Sequence, residues 1–107
     1  MAEIDLDGNV TGRSIAARPG DVLILRLEET PTSGYRWELD DHDPGVLAPA
    51  GDEFSPDSGD TMGGGGIRRF RFTVVGPGIS PLKLVRRRPW AADSVVEAFE
   101  ATVDATG

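Results

Sequence analysis

Thr30-Pro31-Thr32-Ser33-Gly34-Tyr35, Gly63-Gly64-Gly65-Gly66 and Arg88-Pro89-Trp90 are the stretches of this chain best suited to chemistry, and that chemistry is recognition rather than bond-making. Pro31 fixes its own φ and pushes Thr30 toward an extended conformation, while Gly34 supplies a backbone geometry that other residues reach poorly. Thr32 and Ser33 are thereby held on a tight loop that offers hydroxyls and main-chain groups to a narrow cleft at low entropic cost. Taken alone, the same residues also describe an ordinary Pro/Gly connection between strands. Four consecutive glycines describe either a flexible connection or a strand end whose backbone must approach another chain closely. No Gly-Lys-Ser/Thr follows them and a strand pattern opens at Ile67-Arg68, which argues against a phosphate loop. Arg88-Pro89-Trp90 sets a large aromatic on a stiffened turn; Trp is enriched at binding hot spots but equally fills cores, and its place outside any alternating pattern favours exposure.

Other chemistry is excluded by composition. The chain has no cysteine, so disulfides, thiolate metal sites and a cysteine nucleophile are absent, and one histidine, His42, cannot build a histidine metal cluster. Asp40, Asp41 and Asp43 beside His42 lack calcium-loop spacing and read as a solvated acidic loop. No Gly-X-Ser-X-Gly elbow is present to pair with His42 as a base. The expectation is a protein that is not an enzyme and needs no metal or cofactor. A net charge of −7 argues against nucleic acid as a partner. Within it, Thr61 to Ala92 carries seven basic residues and no acidic one. That stretch is either a set of arginines on solvated strand faces, the favoured reading, or a positive patch that orients an acidic partner.

The elements that must position these segments are strands. At 107 residues, with 14 glycines and 8 prolines, the chain suits a single domain over residues 1–107 made of many short strands. No apolar run approaches the roughly 20 residues of a membrane-spanning helix. The start Met1-Ala2-Glu3-Ile4-Asp5 does not resemble a signal peptide, so the default expectation is a cytoplasmic protein. Alternation predicts strands at Ile4–Leu6, Ser14–Ala17, Val22–Leu27, Tyr35–Leu39, Ile67–Val75 and Pro81–Arg86. Residues 40–61 are rich in acid, Pro and Gly and read as irregular, with at most a short strand near Glu53-Phe54. Ala91 to Ala101 fits a helix through Val95, Val96 and Phe99. It also fits a strand through Glu97, Phe99, Ala101 and Val103, and the strand is favoured by its neighbours. The expected core is Leu23, Leu25, Leu27, Trp37, Leu39, Phe70, Phe72, Val74, Leu82, Leu84, Phe99 and Val103. The fold class expected is all-β, a mostly antiparallel, immunoglobulin-like β-sandwich of seven to eight strands.

The order and spacing of the three segments resemble the chagasin-like family of cysteine protease inhibitors. The family pattern is Asn-Pro-Thr-Thr-Gly-Tyr/Phe with Trp two residues on, then Gly-X-Gly-Gly, then Arg-Pro-Trp/Phe. The chain matches it with Thr30 to Tyr35 and Trp37, then Gly63 to Gly66, then Arg88 to Trp90. Thr30 stands where the family has Asn, and Ser33 where it has Thr; each change is expected to cost affinity by about 1 kcal/mol. The resemblance implies that the three loops meet at one end of the sandwich and wedge into the active-site cleft of a papain-like cysteine protease. Thr32 and its neighbours would cover the catalytic centre, the glycines would run along the cleft by backbone contacts, and Trp90 would pack on the opposite wall. Inhibition would be reversible and non-covalent, and the inhibitor a monomer with no membrane contact. The alternative is a protein-binding adaptor on the same scaffold.

Overall fold

The computed structural model describes residues 2–30, 33–56, 65–91 and 93–106. Among these residues eight strands form two four-stranded sheets that face one another. They are β1 (Glu3–Asp7), β2 (Ser14–Ala16), β3 (Val22–Glu29), β4 (Arg36–His42), β5 (Leu47–Pro56), β6 (Gly66–Val74), β7 (Ile79–Arg87) and β8 (Glu97–Asp104). One sheet runs β1-β3-β6-β5 and the other β2-β8-β7-β4. All pairings are antiparallel except β1 with β3 and β2 with β8.

Period-2 alternation explains the core. Leu23, Leu25 and Leu27 of β3 face Phe70, Phe72 and Val74 of β6 and their counterparts on the second sheet, Leu82, Leu84, Phe99 and Val103. Eleven of the twelve expected core residues are buried; Leu39 is half-buried against the core, at a register shift in edge strand β4. The segment from Glu97 to Asp104 is a strand, with Phe99, Ala101 and Val103 inward. A helix there would leave β7 unpaired on one side.

Two expectations need correction. Residues 40–56 are not largely irregular, and 57–61 lie outside the described residues: β4 continues to His42, and β5 spans Leu47–Pro56, with Val46 and Leu47 added to the core. Pro49, Pro56 and Gly51 hide this strand from propensity. It is tolerated because β5 is an edge strand, paired only to β6, and its register shifts between Pro49 and Asp52 around Gly51, whose φ is 104°. Tyr35 lies ahead of β4 rather than within it, half-buried.

The basic stretch is accounted for by neighbouring strands. Arg68, Arg71, Lys83, Arg86 and Arg87 each pair with a carboxylate, from Glu29 and Asp52, Glu53, Asp40 and Glu100, Glu97, and Glu38 respectively. Arg69 donates to Ser55 Oγ at 3.1 Å. The stretch therefore serves strand faces and strand ends, with Arg68 and Arg86 turned inward rather than out onto a solvated face. Solvent-exposed pairs such as Arg71–Glu53 contribute only about 0–1 kcal/mol each.

The core sets the stability of the frame. Leu84→Ala is expected to lower the unfolding free energy by about 2–5 kcal/mol, because Leu84 is fully buried between the sheets. Val75→Ala, at a residue 50% exposed, should change it by no more than about 0.5 kcal/mol. Denaturant titrations of the two variants side by side check both figures.

Candidate functional site

Strand register alone brings the three segments to one end. Glu29, the last residue of β3, pairs with Gly66, the first of β6, which also pairs with Pro56, the last of β5. On the second sheet Arg36, the first residue of β4, pairs with Arg87, the last of β7, and Arg86 pairs with Glu97, the first of β8. The connections β3–β4, β5–β6 and β7–β8 therefore all leave the sandwich on the same side. Trp37 ties the sheets together there: its backbone N–H donates to Glu29 Oε2 at 2.9 Å and its indole Nε1 donates to the Glu28 carbonyl at 2.8 Å.

Contacts among the segments follow from that placement. Ser33 shapes the first, its N–H and its hydroxyl both donating to the Thr30 carbonyl, at 3.0 and 2.6 Å. The Tyr35 N–H donates in turn to Ser33 Oγ at 3.3 Å. The hydroxyl is thus used inside the loop, and Gly34 follows with φ of 81°. A side chain at Gly34 would also meet Trp90, whose Cη2 lies 3.1 Å from the position of an added Cβ. Trp90 is 74% exposed, resting on the Gly34 backbone by one edge. The Arg88 guanidinium sits 4.8 Å from the Tyr35 ring centre, a second link between the first and third segments. Thr30 Oγ1 lies 3.2 Å from the Cβ position of Gly65, so the first segment also touches the root of the second.

Thr30, Ser33, Gly34, Tyr35, Gly65, Gly66, Arg88, Pro89 and Trp90 thus gather at one end, whereas Pro31, Thr32, Gly63 and Gly64 lie outside the described residues. Gly66 has a steric duty of its own: an added Cβ would fall 2.7 Å from Phe54 Cζ and 2.8 Å from Pro56 Cα.

Residue patterns did not single out three supporting side chains. Ser94 braces the third segment, accepting from the Arg88 N–H at 2.9 Å and donating to the Ala91 carbonyl at 2.6 Å. Glu29 and Arg68 form a buried pair beneath the first and second segments, with Arg68 Nε 2.9 and 3.0 Å from the two carboxylate oxygens. Arg68 Nη1 continues to Asp52 at 2.6 Å. Burial opposes the charge on Arg68, but the hydrogen bonds and charges of Glu29 and Asp52 outweigh it and raise the guanidinium pKa above its ordinary value. A signal for this pair was present: the inward parity of Leu23, Leu25 and Leu27 continues to Glu29, and that of Phe70, Phe72 and Val74 runs back to Arg68.

The site offers an exposed indole and loop residues at one end of the sandwich. Comparison with known proteins decides what such an edge belongs to. Residues 16–103 match the family described as chagasin family peptidase inhibitor I42. The chain belongs to the chagasin family of peptidase inhibitors. Its fold is similar to that of EhICP2, a cysteine protease inhibitor from Entamoeba histolytica, with TM-score 0.87 and 18% identity over 98% of this chain and 96% of that one. Amebosin gives TM-score 0.79 and 26% identity over 96% and 97% of the two chains. PbICP-C, solved in complex with falcipain-2, gives 0.70 and 15% over 98% and 99%. Against curated protein sequences the chain has no match. Membership is in a family of inhibitors rather than enzymes, and it lends the adaptor reading no support.

Ser94→Ala is expected to cost about 1 kcal/mol of stability by removing the acceptor for the Arg88 N–H. Loss of this brace should also weaken the contact of Trp90 with Gly34, read as a reduced nuclear Overhauser effect between the Trp90 ring and the Gly34 α-protons.

Proposed function

We propose that this protein is a reversible, non-covalent inhibitor of papain-like cysteine proteases, a single inhibitor domain that blocks the active-site cleft with the three segments at one end of its sandwich. The observation that carries this reading is the joint presentation of the segments: Trp90 lies against Gly34, Arg88 over Tyr35, and Gly65 against Thr30. Family membership supports a peptidase as the partner. EhICP2, a cysteine protease inhibitor, and PbICP-C, found in complex with falcipain-2, point to the same class.

In this arrangement Thr30, Pro31, Thr32, Ser33, Gly34 and Tyr35 enter over the catalytic centre. Gly63, Gly64, Gly65 and Gly66 follow the cleft through main-chain hydrogen bonds, a mode that missing side chains make possible. Arg88, Pro89 and Trp90 cover the far wall, with the indole supplying the largest apolar contact. Inhibition without a covalent bond is consistent with a chain that has no cysteine. Segments held together before binding lose less conformational entropy on entering a cleft, so pre-existing contacts such as Trp90 on Gly34 translate into affinity.

Purified protein is expected to inhibit papain reversibly and remain uncleaved. Trp90→Ala and Thr32→Ala should each weaken inhibition by about 1–3 kcal/mol, measured as the change in Ki. No inhibition at high micromolar concentration across several papain-like proteases would overturn the proposal.

A further inference from the structure

Glu29 holds a position that a leucine would fill if burial were its purpose. It is the next inward residue after Leu23, Leu25 and Leu27, it is 1% exposed, and it lies immediately before Thr30. Its carboxylate cannot reach a binding partner. It accepts the N–H of Trp37, two residues beyond Tyr35, and the Nε of Arg68, two residues beyond Gly66, while Arg68 reaches Asp52 on β5. One carboxylate therefore fastens both ends of the first segment to the root of the second. A buried ion pair is seldom more stabilising than apolar side chains of similar size, and its best-attested use is to select one geometry.

We infer that Glu29 is a positioning residue of the binding edge: through Trp37 and Arg68 it sets the spacing of the first segment against the glycine segment before a protease arrives. An edge that samples several spacings binds only in proportion to the fraction correctly spaced. The loss on breaking the pair should therefore appear mainly in the association rate. The turn of the third segment is closed by its own hydrogen bonds through Ser94 and Ala91 between β7 and β8, and the Ala91 N–H should not respond.

The affinity arm of the test rests on the inhibitory reading above; a second arm does not. Glu29→Gln removes the charge but keeps an acceptor for Trp37. Arg68→Lys keeps the charge but loses the planar fork that spans Glu29 and Asp52, and it stands in if Glu29→Gln does not fold. At a temperature where circular dichroism shows each variant fully folded, the association rate with papain should fall about tenfold. Amide hydrogen exchange should quicken at Ser33, whose N–H is bonded to Thr30, and stay unchanged at Ala91 in the third segment and Leu84 in the core. Unchanged association together with unchanged exchange at Ser33 would overturn the inference, as would equal acceleration at Ser33, Ala91 and Leu84, which marks a purely structural role. If wild type does not inhibit, the inhibitory reading fails and the exchange pattern alone decides this inference.

Discussion

At the end of the sandwich that carries the three segments, the apolar core gives way to inward-facing charge. Glu29 and Arg68 close one sheet and Arg86 and Glu97 close the other, the second pair at 3.1 Å. Glu29, fully buried, must be paired or pay the full penalty of desolvation, whereas Arg86 and Glu97 keep part of their side chains in water. Removing one member of the Glu29–Arg68 pair costs about 3–5 kcal/mol because the other is left uncompensated. The geometry of this layer is consequently narrow: the Arg68 Nε sits almost equidistant from both oxygens of Glu29, and Trp37 is held over the junction by its N–H and its indole. Loops rooted in a layer this constrained inherit its positions.

Above that layer the segments hold one another. Trp90 against the Gly34 backbone and Arg88 over Tyr35 join the first and third, and Gly65 lies against Thr30 to join the first and second. Ser33 and Ser94 spend their hydroxyls within their own loops, which shapes the edge before any partner is met. Five of the seven basic residues between Thr61 and Ala92 are paired with carboxylates of the same chain. The proposed edge is therefore left to recognise a partner through shape, an exposed indole and backbone groups more than through long-range attraction.

Strands with clean alternation were legible residue by residue. β3, β6 and β8 follow their apolar parity, and their inward residues make the core. β5 was not, because two prolines and a glycine look like loop residues and become strand residues only when β6 supplies a partner. The three segments were legible through their order and unusual residue types. Ser94 was not, since a serine gains its role from where Arg88 and Ala91 happen to lie. Glu29 and Arg68 fall between these cases: parity marks both as inward, but a charged residue at the end of an apolar stripe is ordinarily taken as the place where the strand meets water.

By itself the sequence determined the all-β class, most of the core and the residues proposed for binding. Each of these depends on local period, local stiffness or composition, and such properties are written in adjacent residues. Tertiary structure decided which strands pair, that the three segments share one end, and that Glu29 and Arg68 meet beneath them. Those outcomes join positions far apart in the chain, 39 residues apart for Glu29 and Arg68. They are fixed by the register that buries the most apolar surface while leaving each inward charge a partner, a condition no single segment contains.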